Sequence, residues 1–163
     1  MCNRLFCKYS TMQLREAGEP GRRAEGSLRA ARSPWHLASV LAFLNVAAVF
    51  QGHFQESDAI ESELYPLADR LGHVGAAAVA RRSEFPKAAA RHADLGALDS
   101  LSRMQSLAAA RMGPGWVAHT ETLRGIVDFW RGDWETAQIH LEEAMGMTVS
   151  PSWCGAQHGF RCC

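Results

Sequence analysis

Cysteine is missing from the whole middle of this 163-residue chain: its five cysteines stand at positions 2, 7, 154, 162 and 163. An odd number of thiols confined to the two tails excludes the disulfide framework of a small secreted domain and implies a reducing, cytoplasmic compartment. The spacing Cys154-x3-His158-x3-Cys162-Cys163 lacks the paired short knuckles of structural zinc sites, so no metal is expected there. Nor is there a run of about 18 apolar residues, the minimum for a bilayer span. The longest candidate, Leu37 to Phe50, is interrupted by Ser39 and Asn45, and no membrane partner is expected. Arg4 and Lys8 precede no apolar stretch, which excludes a secretory signal of the usual form. Runs of Val, Ile, Thr and Tyr are few, so no sheet is expected.

Catalytic signatures are absent as well. The chain has no Gly-x4-Gly-Lys-Ser/Thr phosphate loop, no Gly-x-Ser-x-Gly, no His-Glu-x-x-His and no Glu-x-x-His. The seven histidines are scattered, and His53, His73 and His92 fall at expected helix junctions. An enzyme of this size needs convergent polar groups on rigid elements, so no catalytic residue and no cofactor is assigned.

Net charge is zero but unevenly placed. Residues 1–33 carry a balance of +4 and residues 34–150 a balance of −5. The first segment, with Glu19–Arg32 (EPGRRAEGSLRAAR), reads as a basic, disordered arm. Residues 34–150 form the domain, and residues 151–163 an irregular, Cys-containing tail. The body offers no basic face for nucleic acid.

What the sequence does have is Ala and Leu in a repeated helical pattern. Gly52-His53-Phe54, Ala93-Asp94-Leu95 and Gly132-Asp133-Trp134 recur at spacings of 41 and 39 residues. Leu67–Gly72 (LADRLG) matches Ala108–Gly113 (AAARMG), again 41 residues on. Two independent markers therefore give a period of about 40, the range of helical repeats. Each unit reads as two helices. The first opens at Ser33-Pro34, an N-cap followed by proline, and buries Leu37, Val40, Leu41, Leu44 and Ala48. Gly52 ends it. A stripe of Ile60, Leu64, Leu67 and Leu71 follows, stopped by Gly72 and bent near Ser62 by Pro66.

In the second unit, Pro86 is expected to kink or split a helix over 74–92. Its partner helix has Asp94 as N-cap and buries Leu98, Leu101, Ala108 and Met112. The third unit buries Trp116, Thr120, Leu123, Val127 and Trp130. Asp133 then caps a helix with Trp134, Ala137, Leu141 and Ala144 inside.

Leu123-x-Gly125, Gly132-Asp133-Trp134, Ala137, Leu141 and Ala144 resemble a tetratricopeptide repeat. In that family small residues let two helices approach and a larger one fills the next groove. Two departures stand out: the family period is usually shorter, and the first helix of unit two has Pro86 near the small-residue pair. The longer period and the endings Asp69–Gly72 and Ala110–Gly113 are similar to degenerate repeats of large bacterial LuxR-type ATP-binding regulators and cyclase-associated signalling ATPases. The resemblance implies an all-α solenoid of about three antiparallel helix pairs, acting as a protein-binding scaffold or sensor region of a bacterial signalling or transcription regulator. The alternative is a truncated or frame-shifted piece of such a regulator without independent activity, since Ser152–Cys163 departs abruptly from the body in composition. A small enzyme is a distant third reading.

The expected partner is a protein or peptide. By the repeat register Ser83, Lys87 and Arg91 share one face of a central first helix, where basic groups would grip a carboxylate or acidic segment. Phe129 and Trp130 offer an aromatic contact at the end of another first helix, although Trp35, Trp116, Trp130 and Trp134 all stand at core-filling positions. The last helix has no polar cap after it, so Ile139 and Met145 should stay uncovered and favour self-association.

Overall fold

The computed structural model describes residues 13–91, 94–109 and 114–149, and these are helical throughout, with short turns and no strand. In chain order the helices are α1 (Leu14–Ala30), α2 (Pro34–Phe50), α3 (Phe54–Leu71), α4 (Val74–Arg81), α5 (Glu84–Ala90), α6 (Leu95–Ala109), α7 (Pro114–Arg131) and α8 (Trp134–Val149). No helix among the described residues is long and apolar enough to cross a membrane. The starts of α2, α4 and α7, at Pro34, Val74 and Pro114, fall 40 residues apart. Among the described residues two helices begin in the first and third of these intervals and three in the second. The markers Ala93 and Ala110–Gly113, with Met112, lie outside the described residues, as do His92, the first twelve residues and the tail from 150 onward.

The chain divides into two compact units, residues 1–87 and 88–163. In the first, α2 packs against α1, α3 and α4. Its expected face, Leu37, Val40, Leu41, Leu44 and Ala48, is buried, and Val46, Ala47 and Val49 are buried as well. A helix apolar on every side belongs at the centre of its unit. Proline opens α2 as expected, but Ser33 does not cap it: its hydroxyl pairs with His36 Nδ1 at 3.0 Å. Gly52 and Gly72, with φ of +77° and +63°, turn the chain after α2 and α3 in the left-handed conformation glycine tolerates. α3 runs as one helix through Pro66.

The disordered arm expected over 1–33 is corrected from residue 14 onward. Leu14, Ala17, Gly21 and Ala24 form a small-residue stripe that lets α1 lie against α2. Three of the arginines that suggested a solvated arm, Arg22, Arg23 and Arg29, are in ion pairs. Arg22 binds Glu56, and seven residues later Arg29 grips both oxygens of Glu63 at 2.7 Å. That hydrogen bonding holds the Glu63 carboxyl below its usual range. Equal steps along α1 and α3 mean that the two helices run side by side in one direction. Ser39 to His73 and Asn45 to Ser83 show the same of α2 and the α4–α5 segment.

The helix expected over 74–92 is split, at Arg82 and Ser83. Pro86 cannot donate to the carbonyl four residues back, which is Arg82, so the break falls there and proline enters the first turn of α5. In the second unit α7 packs against both α6 and α8. Asp94 caps α6 through Ala97 N–H at 2.7 Å, and Asp133 caps α8 through Thr136 N–H at 3.2 Å, both as expected. Leu98, Thr120, Leu123, Val127, Ala137 and Ala144 are buried.

Candidate functional site

Two places concentrate polar or aromatic chemistry. The first lies between α2, α3 and α5. Asn45, Ser57 and Ser83 have no solvent exposure, and Lys87 has 8%. Asn45 Nδ2 donates to Ser83 Oγ at 2.9 Å and to Glu61 at 3.1 Å, while its Oδ1 accepts from Ser57 at 2.7 Å. The Lys87 ammonium donates to Ser57, to Asp58 at 3.0 Å and to Glu61. Every hydrogen-bonding group at the centre of this network is satisfied from within, as a buried polar cluster requires. Nearby, Tyr65 donates to Glu84 at 2.7 Å, and burial with that carboxylate pushes its phenol upward.

This arrangement corrects the expected basic face. Lys87 points inward to neutralise Glu61 and Asp58, and Ser83 is a buried link between helices. Arg91 is exposed and lies just past the end of α5 rather than one turn further along it. Ser83 and Lys87, both buried, therefore do not line an open groove.

The second place is the turn between α7 and α8. Phe129, Trp130 and Trp134 are 58%, 49% and 70% exposed, within six consecutive residues. Trp130 and Trp134 were expected inside, and both are corrected. They flank the turn at Gly132, whose φ is +82°. Trp35 is likewise half exposed and stacks on the His73 imidazole, with ring centroids 4.0 Å apart. Ile139 and Met145 of α8 are exposed.

Small residues close the α7–α8 interface. A Cβ added to Gly125 would lie 2.8 Å from Leu141 Cγ and 3.1 Å from the Ala137 carbonyl oxygen. Gly125, Ala137 and Leu141 thus lie together where α7 meets α8. Beside it, Glu121 is buried on α7 and meets His140 of α8, with Nδ1 to Oε2 at 2.9 Å. Glu143 completes a group whose donor atoms all lie within 4.8 Å of one another. Sequence reading missed this group because its members lie on two helices; His140-x-x-Glu143, one helical turn apart, was the only local signal.

Compared with protein families, curated proteins and solved structures, the chain matches none of them.

Proposed function

We propose that this chain is a tetratricopeptide-like helical-repeat module that binds another protein, serving as a scaffold or sensor region in a bacterial signalling or transcription regulator. The regular helix starts support an α–α solenoid of helix pairs. The observation that carries the binding role is the exposed aromatic edge at the α7–α8 turn. A cluster of Phe129, Trp130 and Trp134 is more apolar surface than a soluble chain leaves open without use. Tryptophan anchors of this kind dominate the energetics of protein interfaces. The equivalent position at the end of α2 carries Phe50, 55% exposed, so the feature recurs at the same point of the repeat. The occupant is a protein segment with an apolar side chain to set against the two indoles.

The test replaces Trp130 and Trp134 together by Ala. Neither fills the core, so circular dichroism should be unchanged. Proteins retained by the wild-type chain in quantitative affinity capture should be lost from the variant, and each is then confirmed with purified components. Equal retention by both chains would remove the aromatic edge from the binding surface. Sedimentation of each pure chain separates a foreign partner from a second copy: association lost with the two indoles assigns the edge to self-association.

A further inference from the structure

The α7–α8 pair holds a polar group that the binding role does not use. Glu121 lies one turn before Gly125 on α7, and His140 and Glu143 stand three apart on α8. Both helices are fixed at this level by the contact of Gly125 with Leu141. His140 Nδ1 faces Glu121, while its Nε2 lies 3.7 Å from Asp128 Oδ2. Arg124 Nη1 is 3.3 Å from each oxygen of Glu121.

The geometry points to a divalent transition-metal site formed by Glu121, His140 and Glu143, with zinc the ion that suits it best. One imidazole and two carboxylates are a borderline donor set, in which zinc binds more tightly than manganese or iron. Tetrahedral zinc holds nitrogen and oxygen donors at about 2.0–2.2 Å, which places them roughly 3.3–3.6 Å from one another. To reach that spacing the 2.9 Å between His140 Nδ1 and Glu121 Oε2 must open by roughly 0.4–0.7 Å, and the exposed Glu143 side chain closes the remaining distance.

Two features separate this group from an ordinary acidic patch. Its central donor is an imidazole, and Asp128 stands at the other ring nitrogen, the position from which carboxylates orient metal-bound histidines. Without an ion, His140 and Arg124 together satisfy Glu121. With one, zinc enters between Nδ1 and Oε2 in place of their hydrogen bond, and the second Glu121 oxygen stays with Arg124. Three protein ligands leave a fourth position open to water or to a donor atom of a partner.

The terminal thiols must be silent in the test, so the full chain is used with its five cysteines changed to Ser. After chelator treatment it is titrated with zinc alone by calorimetry, and with cobalt, whose visible spectrum reports coordination geometry. One ion per chain is expected, with a tetrahedral nitrogen–oxygen spectrum and a raised Tm. Glu143→Gln, at an exposed position that cannot unfold the chain, should weaken binding at least ~10-fold, and His140→Ala at least as much. The absence of zinc binding by the cysteine-free chain, or binding that neither variant weakens, would overturn the assignment.

Discussion

Replacing Gly125 by Ala sets two known effects against each other inside one helix. Alanine is favoured over glycine in a helix interior by about 0.5–1 kcal/mol, so with open space around it the change would stabilise α7. Here the new methyl would meet Leu141 Cγ at 2.8 Å, Leu141 Cδ2 at 3.0 Å and the Ala137 carbonyl oxygen at 3.1 Å. The leucine can change rotamer, but the carbonyl belongs to the backbone of α8 and moves only with the helix. Overpacking of this kind costs about 1–3 kcal/mol, so the net effect is a loss of about 1 kcal/mol. Gly146, on α8 in the same unit, has nothing within 4 Å of the equivalent point. Gly146→Ala should therefore stabilise by about 0.5–1 kcal/mol. Denaturant unfolding followed by helix circular dichroism measures both, with the m-value checked for constancy. The opposite signs are the test. Equal stabilisation by the two changes would mean that α7 and α8 do not approach at Gly125, and the small-residue reading of that interface would fail.

Other outcomes follow from the buried groups. Lys87→Met should cost about 2–3 kcal/mol, below the full penalty for breaking a buried pair because Asp58 is half exposed; urea unfolding checks this, and a neutral result would place the ammonium in solvent. Burial, with His36 nearby, holds the His73 imidazole below its ordinary value. The unfolded chain therefore binds that proton more readily, so this contribution to stability is complete above about pH 6.5 and is lost as pH falls through the folded value. His73→Asn keeps an acceptor for Ala76 N–H and should flatten the stability profile on that side, as thermal melts across pH would show. Arg29→Ala removes the two-pronged bond to Glu63 and should lower stability by at most about 1 kcal/mol, less in high salt, because the pair is exposed.

Helices and their ends were legible because local chemistry fixes them. Pro34, Gly52, Gly72, Asp94, Gly132 and Asp133 each act within a few residues of their position, and each does what its type dictates. The α1 helix was missed because Arg and Glu dominate its composition, while its buried face has, after Leu14, only Ala and Gly, which carry little hydropathy. Tryptophan was misread for the opposite reason. Its size suggests core, yet Trp130 and Trp134 flank a turn, where a large ring finds no second helix to cover it. The inward Lys87 was beyond local reading, because its partners Ser57, Asp58 and Glu61 lie 26 to 30 residues away. Glu121 with His140 is the same case at 19 residues.

The proposed repeat sets two helix pairs against each other that close one point with different chemistry. Asn45 of α2 meets Ser57 and Glu61 of α3. Eighty residues on, two periods of the chain, the same three positions are Gly125, Ala137 and Leu141, and these again meet one another across α7 and α8. One pair of helices closes this point with hydrogen bonds and the other with a small residue under a large one. The polar version needs a cation to balance Glu61, which Lys87 supplies from α5, whereas the apolar version is complete in itself. Through Lys87, α5 is thereby tied to Asp58 and Glu61 of α3 although it is only seven residues long. The difference gives the sharpest expectation for the polar site: Asn45→Gly, the residue found at the equivalent point of α7, should not restore the small-residue solution. Glycine there abandons Ser57 and Glu61 and opens a gap that no leucine fills, at a cost of about 2–4 kcal/mol. Asn45→Gly combined with Ser57→Ala and Glu61→Leu rebuilds the apolar contact but leaves the Lys87 ammonium with the half-exposed Asp58 alone, and only the further change Lys87→Met should recover full stability. Recovery without that fourth change would show that Lys87 is not the counter-charge of the network.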